Sequence, residues 1–276
     1  MNFRSHYNSK EFLDDTVILI NTCDKNSDVL SLLLKSLDKN WRDNPFPIVI
    51  NKESNKIIKK KSNKKEISWG KRFLLILKSL NCKYVILLLD DYILEEKIDM
   101  DRINKAIALV HEDIDAAAFY LNYCTSNEVK SGDFYLLNAK SNASLNSHPA
   151  VWKRKDLIMF TNEYDTPWSW ETFGNYRTHY TNKKFYSVSS VEKNIYKYDC
   201  RLGGAIYRGK WVKEVVAPMI EEYQNEVDFS QREFVKINEP SKRPLKWKIT
   251  FLYLGFRTLG FRMFEYIFDY LKRKLM

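Results

Sequence analysis

Asp90 and Asp91 follow directly on Tyr84–Leu89, YVILLL, the most hydrophobic stretch of the chain. A short apolar run of this kind reads as a buried strand. Both carboxylates are then delivered at a strand's carboxyl end, where open α/β sheets bind ligands. Adjacent carboxylates repel each other unless something cationic sits beside them. A divalent cation, Mn or Mg, with oxygen ligands and a diphosphate answers that need. It would anchor the diphosphate and stabilise its charge on departure. The plainer alternative is a solvated loop after a strand.

A second group lies in Pro167–Glu171, PWSWE. Aromatic faces stack on the apolar faces of sugars, which makes Trp168 and Trp170 candidate acceptor contacts. Apolar walls raise a carboxylate's pKa toward the range of a general base, the role expected of Glu171. The alternative places both indoles in a core and leaves Glu171 capping or pairing on a helix. His148, in Ser147–His148–Pro149, is one of four histidines and a third candidate contact, to the acceptor or the metal, or a structural residue before proline. In RLGGAIYRGKW, Gly203 and Gly204 permit close backbone approach to a ligand. Arg201, Arg208 and Lys210 could neutralise a diphosphate there, or stand exposed around a tight turn.

The elements that must position these residues alternate in type. Thr16–Asn21 reads as a strand, DVLSLLLKSLDKNW as a helix with leucines at helical spacing, and Pro45–Ile50 as a second strand. Both strands are apolar throughout, as in a parallel sheet covered on both faces. Trp69–Leu80 reads as a helix before the YVILLL strand, and Ile103–Val110 as a helix after it. Strands are expected at Ala116–Tyr123, Phe134–Leu137 and KKFYSVSSV, and a helix at Trp211–Tyr223. The order predicts an α/β fold with a doubly wound parallel sheet.

Three segments carry a resemblance: VILINTCD, WGKRFLLILKSLNCKYVILLLDDY and PWSWETFG. Their spacing and context, over roughly residues 16–211, resemble nucleotide-sugar glycosyltransferases of the GT-A type, bacterial surface-polysaccharide (capsule or O-antigen) enzymes in particular. The resemblance implies a Rossmann-like, mostly parallel sheet flanked by helices, with a C-terminal helical extension. It implies that Thr22 and Asp24 lie beside the base and ribose, and Arg72 near the diphosphate or nucleotide. Asp90 would touch ribose or sugar, Asp91 would hold the metal, and Glu171 would deprotonate the acceptor in an inverting reaction. The implied donor is a nucleotide sugar, a UDP-sugar in the first instance, and the acceptor a hydroxyl of a glycan or lipid-linked glycan. The chain departs from the family's D-x-D, offering Asp90–Asp91–Tyr92. Two other readings stay open: a sugar nucleotidyltransferase, and a non-catalytic glycan-binding module. The first is expected to carry a glycine-rich phosphate loop near the first strand, and VILINTCDKNSD has no glycine.

The chain has 276 residues and a net charge of +10, unevenly spread. Residues 52–65 hold seven lysines against one glutamate, and residues 242–276 nine basic residues against two acidic ones. The remainder is slightly acidic, which argues against a nucleic-acid-binding face. The Lys-rich run reads most simply as a solvated loop, with phosphate binding as the alternative. Cys23, Cys82, Cys124 and Cys200 are widely spaced and read as reduced thiols of a cytoplasmic protein. MNFRSHYNSKEF does not read as a signal peptide. The sequon at Asn142 carries no meaning without secretion. A GT-A catalytic domain is expected over 1–241. The segment 242–276 is expected to form one basic amphipathic helix, with Leu252, Phe256, Leu259, Met263, Ile267 and Tyr270 on one face. Such a helix suits the inner surface of a cell membrane, and equally a dimer or a core.

Overall fold

The computed structural model describes residues 14–56, 67–124, 128–131, 134–137, 143–238 and 244–275. The expectations placed on the first residues, on the Lys-rich run beyond Lys56 and on Asn142 lie outside the described residues.

Strand β1 (Thr16–Asn21) leads through helix α1 (Ser27–Asn40) to β2 (Ile48–Asn51), and the two strands pair in parallel. Helix α2 (Trp69–Ser79) then returns the chain to β3 (Tyr84–Leu89), which pairs in parallel on the other side of β1. The strand order therefore reverses at β1. Asn21 stands opposite Leu89, so the residues that follow each strand emerge side by side. This is the switch-point crevice in which open sheets place ligands. β2 forms the sheet edge, and Ile48 is 41% exposed, so only part of the expected two-sided cover is present.

The sheet continues through α3 (Met100–Glu112), β4 (Ala116–Tyr120), β5 (Glu128–Ser131), β6 (Phe134–Leu137) and β7 (Ala150–Lys153). Helices α4 (Arg154–Met159) and α5 (Pro167–Thr178) precede β8 (Lys184–Ser187). The eight strands run in the order β2-β1-β3-β7-β4-β8-β6-β5. Only β7 and β6 oppose the common direction, which makes the protein α/β with a mostly parallel sheet. The simple doubly wound alternation is broken where β7 inserts antiparallel between β3 and β4. Its short sequence suits a central position. Val151 faces one apolar layer, while Ala150 and Trp152 face the other.

The same alternation runs through β1 and β3. Ile18, Ile20, Ile86 and Leu88 pack toward α1 and α3, whereas Leu19, Val85 and Leu87 pack toward α2, α4 and Trp170 of α5. Two cores thus clamp the strand ends that carry the acidic pair. A small sheet of β9 (Ile206–Tyr207), β10 (Lys210–Val212) and β11 (Phe234–Val235) lies beyond, with α6 (Lys213–Tyr223) between its last two strands. Trp211 belongs to β10 rather than to the helix expected to start there. The tail forms two helices, α7 (Leu245–Leu259) and α8 (Met263–Leu275), and not one. Gly260, at φ +58°, breaks them.

Helix α5 begins with a reciprocal cap. Ser169 N donates to Thr166 Oγ1 at 3.1 Å, Thr166 N donates to Ser169 Oγ at 2.8 Å, and Pro167 opens the first turn. Arg177 closes on buried Asp165 through two bonds of 2.7 and 2.6 Å, fixing the helix to the segment before it. Gly70 lets α2 meet the same segment, since a Cβ there would stand 2.1 Å from the Asn162 carbonyl oxygen. The two helices that carry Arg72 and Glu171 are thereby held to one another.

Candidate functional site

The crevice floor is built by the ends of β1 and β3. Asp90 N donates to Asn21 O at 3.2 Å, extending the ladder by one residue. Asp90 then turns inward. Its Oδ2 accepts from Thr22 Oγ1 at 2.5 Å and from Asn26 Nδ2 at 2.9 Å. Burial raises its pKa, and these two bonds together with the Arg232 charge oppose the rise. Asp91 keeps some accessible surface. Its carboxyl is pushed well above the usual range by burial, with the neighbouring Asp90 charge adding to the push. The pair is thus divided in role: Asp90 is engaged by protein donors, and Asp91 is the carboxylate that most needs a cation.

A turn presses on Asp91 from the small-sheet side. Ala205 N donates to Asp91 O at 3.0 Å. Gly204 lies so close that a Cβ would stand 2.8 Å from that oxygen and 3.0 Å from Asp91 Oδ2. The close approach expected of Gly203–Gly204 is therefore made by Gly204, and to Asp91 itself. Arg201 is committed elsewhere, to Asp199 and to the Glu214 carbonyl.

Glu171 sits one turn into α5. Asn175, on the next turn, donates to Leu145 O and accepts from Leu145 N, each at 2.8 Å. This clamp brings Ser147 to Glu171, whose Oε1 accepts from Ser147 N and Oγ at 3.3 Å each. Tyr92 OH donates to the same Ser147 Oγ at 2.8 Å. A hydroxyl chain therefore runs from the residue after Asp91 to Glu171. Burial raises the Glu171 pKa more than the Ser147 bonds lower it. His148 shares a hydrogen bond of 3.1 Å with Tyr198 OH, and the Tyr198 ring lies 4.5 Å from that of Tyr92. Burial lowers the His148 pKa to about 4, so its imidazole is neutral near neutral pH. Tyr92 and Tyr198 both feel the charges of Asp91 and Glu171. Asp90, Asp91, Glu171, His148 and Thr22 are thus brought to one region.

Other expected residues are placed differently. Trp170 is 2% exposed and packs among Trp69, Phe73 and Trp152, with its indole N–H on Thr161 Oγ1. Core burial leaves no ring face for an acceptor. Trp168 packs against Trp247 and Phe251 of α7 and against Phe173, which ties the tail to α5. Arg72, expected near the diphosphate or nucleotide, is 3% exposed and turned inward. It donates to Thr22 O at 2.9 Å and pairs with Glu53, and burial lowers its pKa. Its chemistry here is to fix the end of β1. Asp24 is exposed at the rim, where Oδ1 accepts from Ser54 N at 3.2 Å and Ser54 Oγ at 2.8 Å. It does not cap α1.

Arg208 and Lys210 line a cavity of about 400 Å³ with Lys25, Gln231 and Arg232. Lys210 pairs with Glu233 at 2.6 Å, and Arg208 lies over the Tyr207 ring. This cavity joins the floor through Arg232, a residue that no local sequence signal singled out. Arg232 grips Asp28 with two bonds of 2.6 and 2.8 Å and donates to Asn26 Oδ1 at 3.0 Å. With its oxygen taken, the Asn26 amide presents its NH₂ to Asp90. Asn26, Ser147, Tyr92 and Tyr198 join the site as well, although no motif in the sequence assigns them to it. Asn26 lies in the polar turn after the first strand, where it could have been suspected.

Among the described residues, no three His, Cys, Asp or Glu side chains gather as a metal-holding group. A cation at Asp91 would need its remaining ligands from phosphate oxygens and water. That donor set suits Mg²⁺-type ions, which often take one or two carboxylates and complete their shell from substrate phosphates.

No family model matches the chain, and no curated protein matches its sequence. Among solved structures, S. aureus TarS is 16% identical over 79% of this chain and 68% of that one, with a TM-score of 0.43. The bifunctional IspDF of Campylobacter jejuni is 11% identical over 66% of this chain and 51% of that one, at 0.35. Mannosyl-3-phosphoglycerate synthase of Rubrobacter xylanophilus is 11% identical over 92% and 76%, at 0.37. The chain spans about half the length of the IspDF chain that it matches.

Proposed function

We propose that the protein is a glycosyltransferase that moves a sugar from a nucleotide donor, a UDP-sugar in the first instance, to a hydroxyl of a glycan or lipid-linked glycan. The observation that carries the reading is the divided pair at the switch point. Asp90 is held by Thr22 and Asn26, while Asp91 stands beside it with a strongly raised pKa. Asp91 would hold a divalent cation, Mn or Mg, and the Arg72-braced end of β1 would form the wall toward the nucleotide. Bound there, the cation would supply positive charge to the diphosphate. Glu171 would accept the proton of the attacking hydroxyl, with Ser147 fixing its carboxylate and Tyr92 fixing Ser147. Neutral His148, on Tyr198, would offer the acceptor a hydrogen-bonding group without adding charge.

The glycine-free turn after β1 supports transfer of a sugar over transfer of a nucleotidyl group. That turn is closed by Asp24–Ser54, and Arg72 is buried behind it. We place the catalytic part in residues 1–241, in the cytoplasm, within bacterial surface-polysaccharide synthesis. The test is a panel of nucleotide sugars with and without Mn²⁺, run on the native protein and on Asp91→Asn. Metal-dependent release of nucleoside diphosphate, lost in a folded Asp91→Asn protein, supports the reading. Release of pyrophosphate from a nucleoside triphosphate and a sugar phosphate would replace it with nucleotidyl transfer. Full activity in Asp91→Asn would remove the metal role.

A further inference from the structure

The tail divides its apolar residues into two stripes. The inner stripe, including Trp247, Phe251, Leu259 and Met263, packs on α5 through Trp168, Phe173 and Tyr176. Gly255 makes the fit tight, since a Cβ there would overlap the Met263 side chain. Among the described residues, the outer stripe has no such cover. On α7, Leu245, Ile249, Leu252 and Phe256 recur at spacings of four, three and four, and all are exposed. Phe264, Phe268 and Leu271 repeat the pattern on α8, and the Phe256–Phe264 ring contact at 5.5 Å joins the two rows. Phe261, in the connecting turn, is 90% exposed. This corrects the single face expected of one helix: Leu259 and Met263 face the body, Leu252 and Phe256 face away.

The charges are sorted as well. The two acidic residues of the tail turn to the body, where Glu265 accepts from Tyr180 OH and Asp269 Oδ2 accepts from Tyr176 OH at 3.0 Å. Lys246, Lys248 and Lys272 are exposed. Arg257 and Arg262 lie over the Tyr164 and Tyr180 rings at the rim. The outward face is therefore apolar at its centre and cationic around it.

We infer that this face docks on an anionic lipid surface. A bilayer matches both halves of the pattern: rings enter the acyl boundary, and cations meet lipid phosphates. A second copy matches only the first. A twofold interface opposes the same patch to itself, and so would set this cationic rim against its twin. The helices lie on the surface rather than cross it, because none among the described residues is long and apolar enough to span. Helix α5 carries both the tail's seat and Glu171. If the proposed transferase reading holds, docking sets its acceptor side beside the headgroups. The surface itself does not depend on that reading.

The test uses the full chain and vesicles of phosphatidylcholine with and without phosphatidylglycerol, read by co-sedimentation. Two variants are compared, Ile249→Ser/Phe261→Ser/Phe268→Ser and Lys246→Glu/Lys248→Glu/Lys272→Glu. Their melting and circular dichroism are checked first, and the charge variant stands alone if the apolar one misfolds. The native protein should bind anionic vesicles at low salt at least about tenfold better than neutral ones, and weaken as salt rises. Each lysine near such a surface contributes about fivefold, so the charge variant should lose on the order of a hundredfold or more. The apolar variant should lose binding too. No binding to anionic vesicles at low salt, or equal binding to neutral ones, overturns the inference. Self-association that the apolar variant abolishes, without vesicle binding, assigns the face to a second copy instead.

Discussion

Gly204 lies where backbone strain and the acidic pair meet, and Gly204→Ala measures both. Its φ and ψ of +149° and −155° belong to a region that is essentially glycine's alone. An alanine there is strained by about 1–3 kcal/mol. Its Cβ would also stand 2.8 Å from Asp91 O and 3.0 Å from Asp91 Oδ2. The obstacle includes backbone, so relief must come by moving the turn, Asp91 or both. Overpacking of this kind costs about another 1–3 kcal/mol, giving roughly 2–6 kcal/mol in all. Gly203→Ala is the control. That residue, at φ +100°, is strained by alanine as well, but among the described residues nothing lies within 4 Å of its added carbon. Urea unfolding should therefore show Gly204→Ala the less stable by about 1–3 kcal/mol. A displacement of about 1 Å at a site can cost on the order of 100-fold in rate, so kcat/KM on the donor should fall far more in Gly204→Ala than in Gly203→Ala. Equal stability and equal kcat/KM in the two variants would refute the contact between this turn and Asp91 as a constraint on the site.

On the proposed reading, Glu171→Gln should leave donor affinity near normal and slow transfer by about 10²–10⁴-fold, and it should remove the acidic limb of the native pH profile, where protonation of the raised carboxyl silences the proposed base. Because that carboxyl is raised in the folded state, its stabilising effect is complete below the unfolded value of about 4.3 and is lost as pH rises through the folded value. Glu171→Gln, which mimics the protonated form, should thus gain stability over the native protein at alkaline pH and little near about pH 4, as read by melting temperature. Arg232→Gln strips buried Asp28 of its partner, and loss of about 3–5 kcal/mol in urea unfolding is expected. Arg232→Lys should recover only part of it, since an ammonium cannot reproduce the two-pronged grip. Equal stability of Arg232→Lys and the native protein would show that the charge alone suffices.

The alternation of strands and helices up to β4 and the position of Asp90–Asp91 were legible because each is local. A buried strand must be apolar along its length, so its end is marked by the first charged residue. Helix α5 shows the opposite case. Trp170 of this helix faces the sheet core, while Phe173 and Tyr176 face the tail. A helix covered on two sides has no single apolar stripe, and periodicity passes over it. Its cap, Thr166–Pro167–Ser169, was the one local signal of its start.

The sequence by itself therefore determined which elements form the first sheet half and which carboxylates stand at the carboxyl ends of its strands. Tertiary structure decided which of those groups face outward. Arg72 turns in because Thr22 O and Glu53 await it behind β1, and Trp170 turns in because Phe73 and Trp152 leave a ring-sized space. Arg232 meets Asp28 from 204 positions away, and both tail helices, broken at Gly260, split their rings between α5 and the outside. These outcomes depend on surfaces that exist only once distant elements have packed. A side chain's own neighbours in the sequence do not specify the partner that buries it.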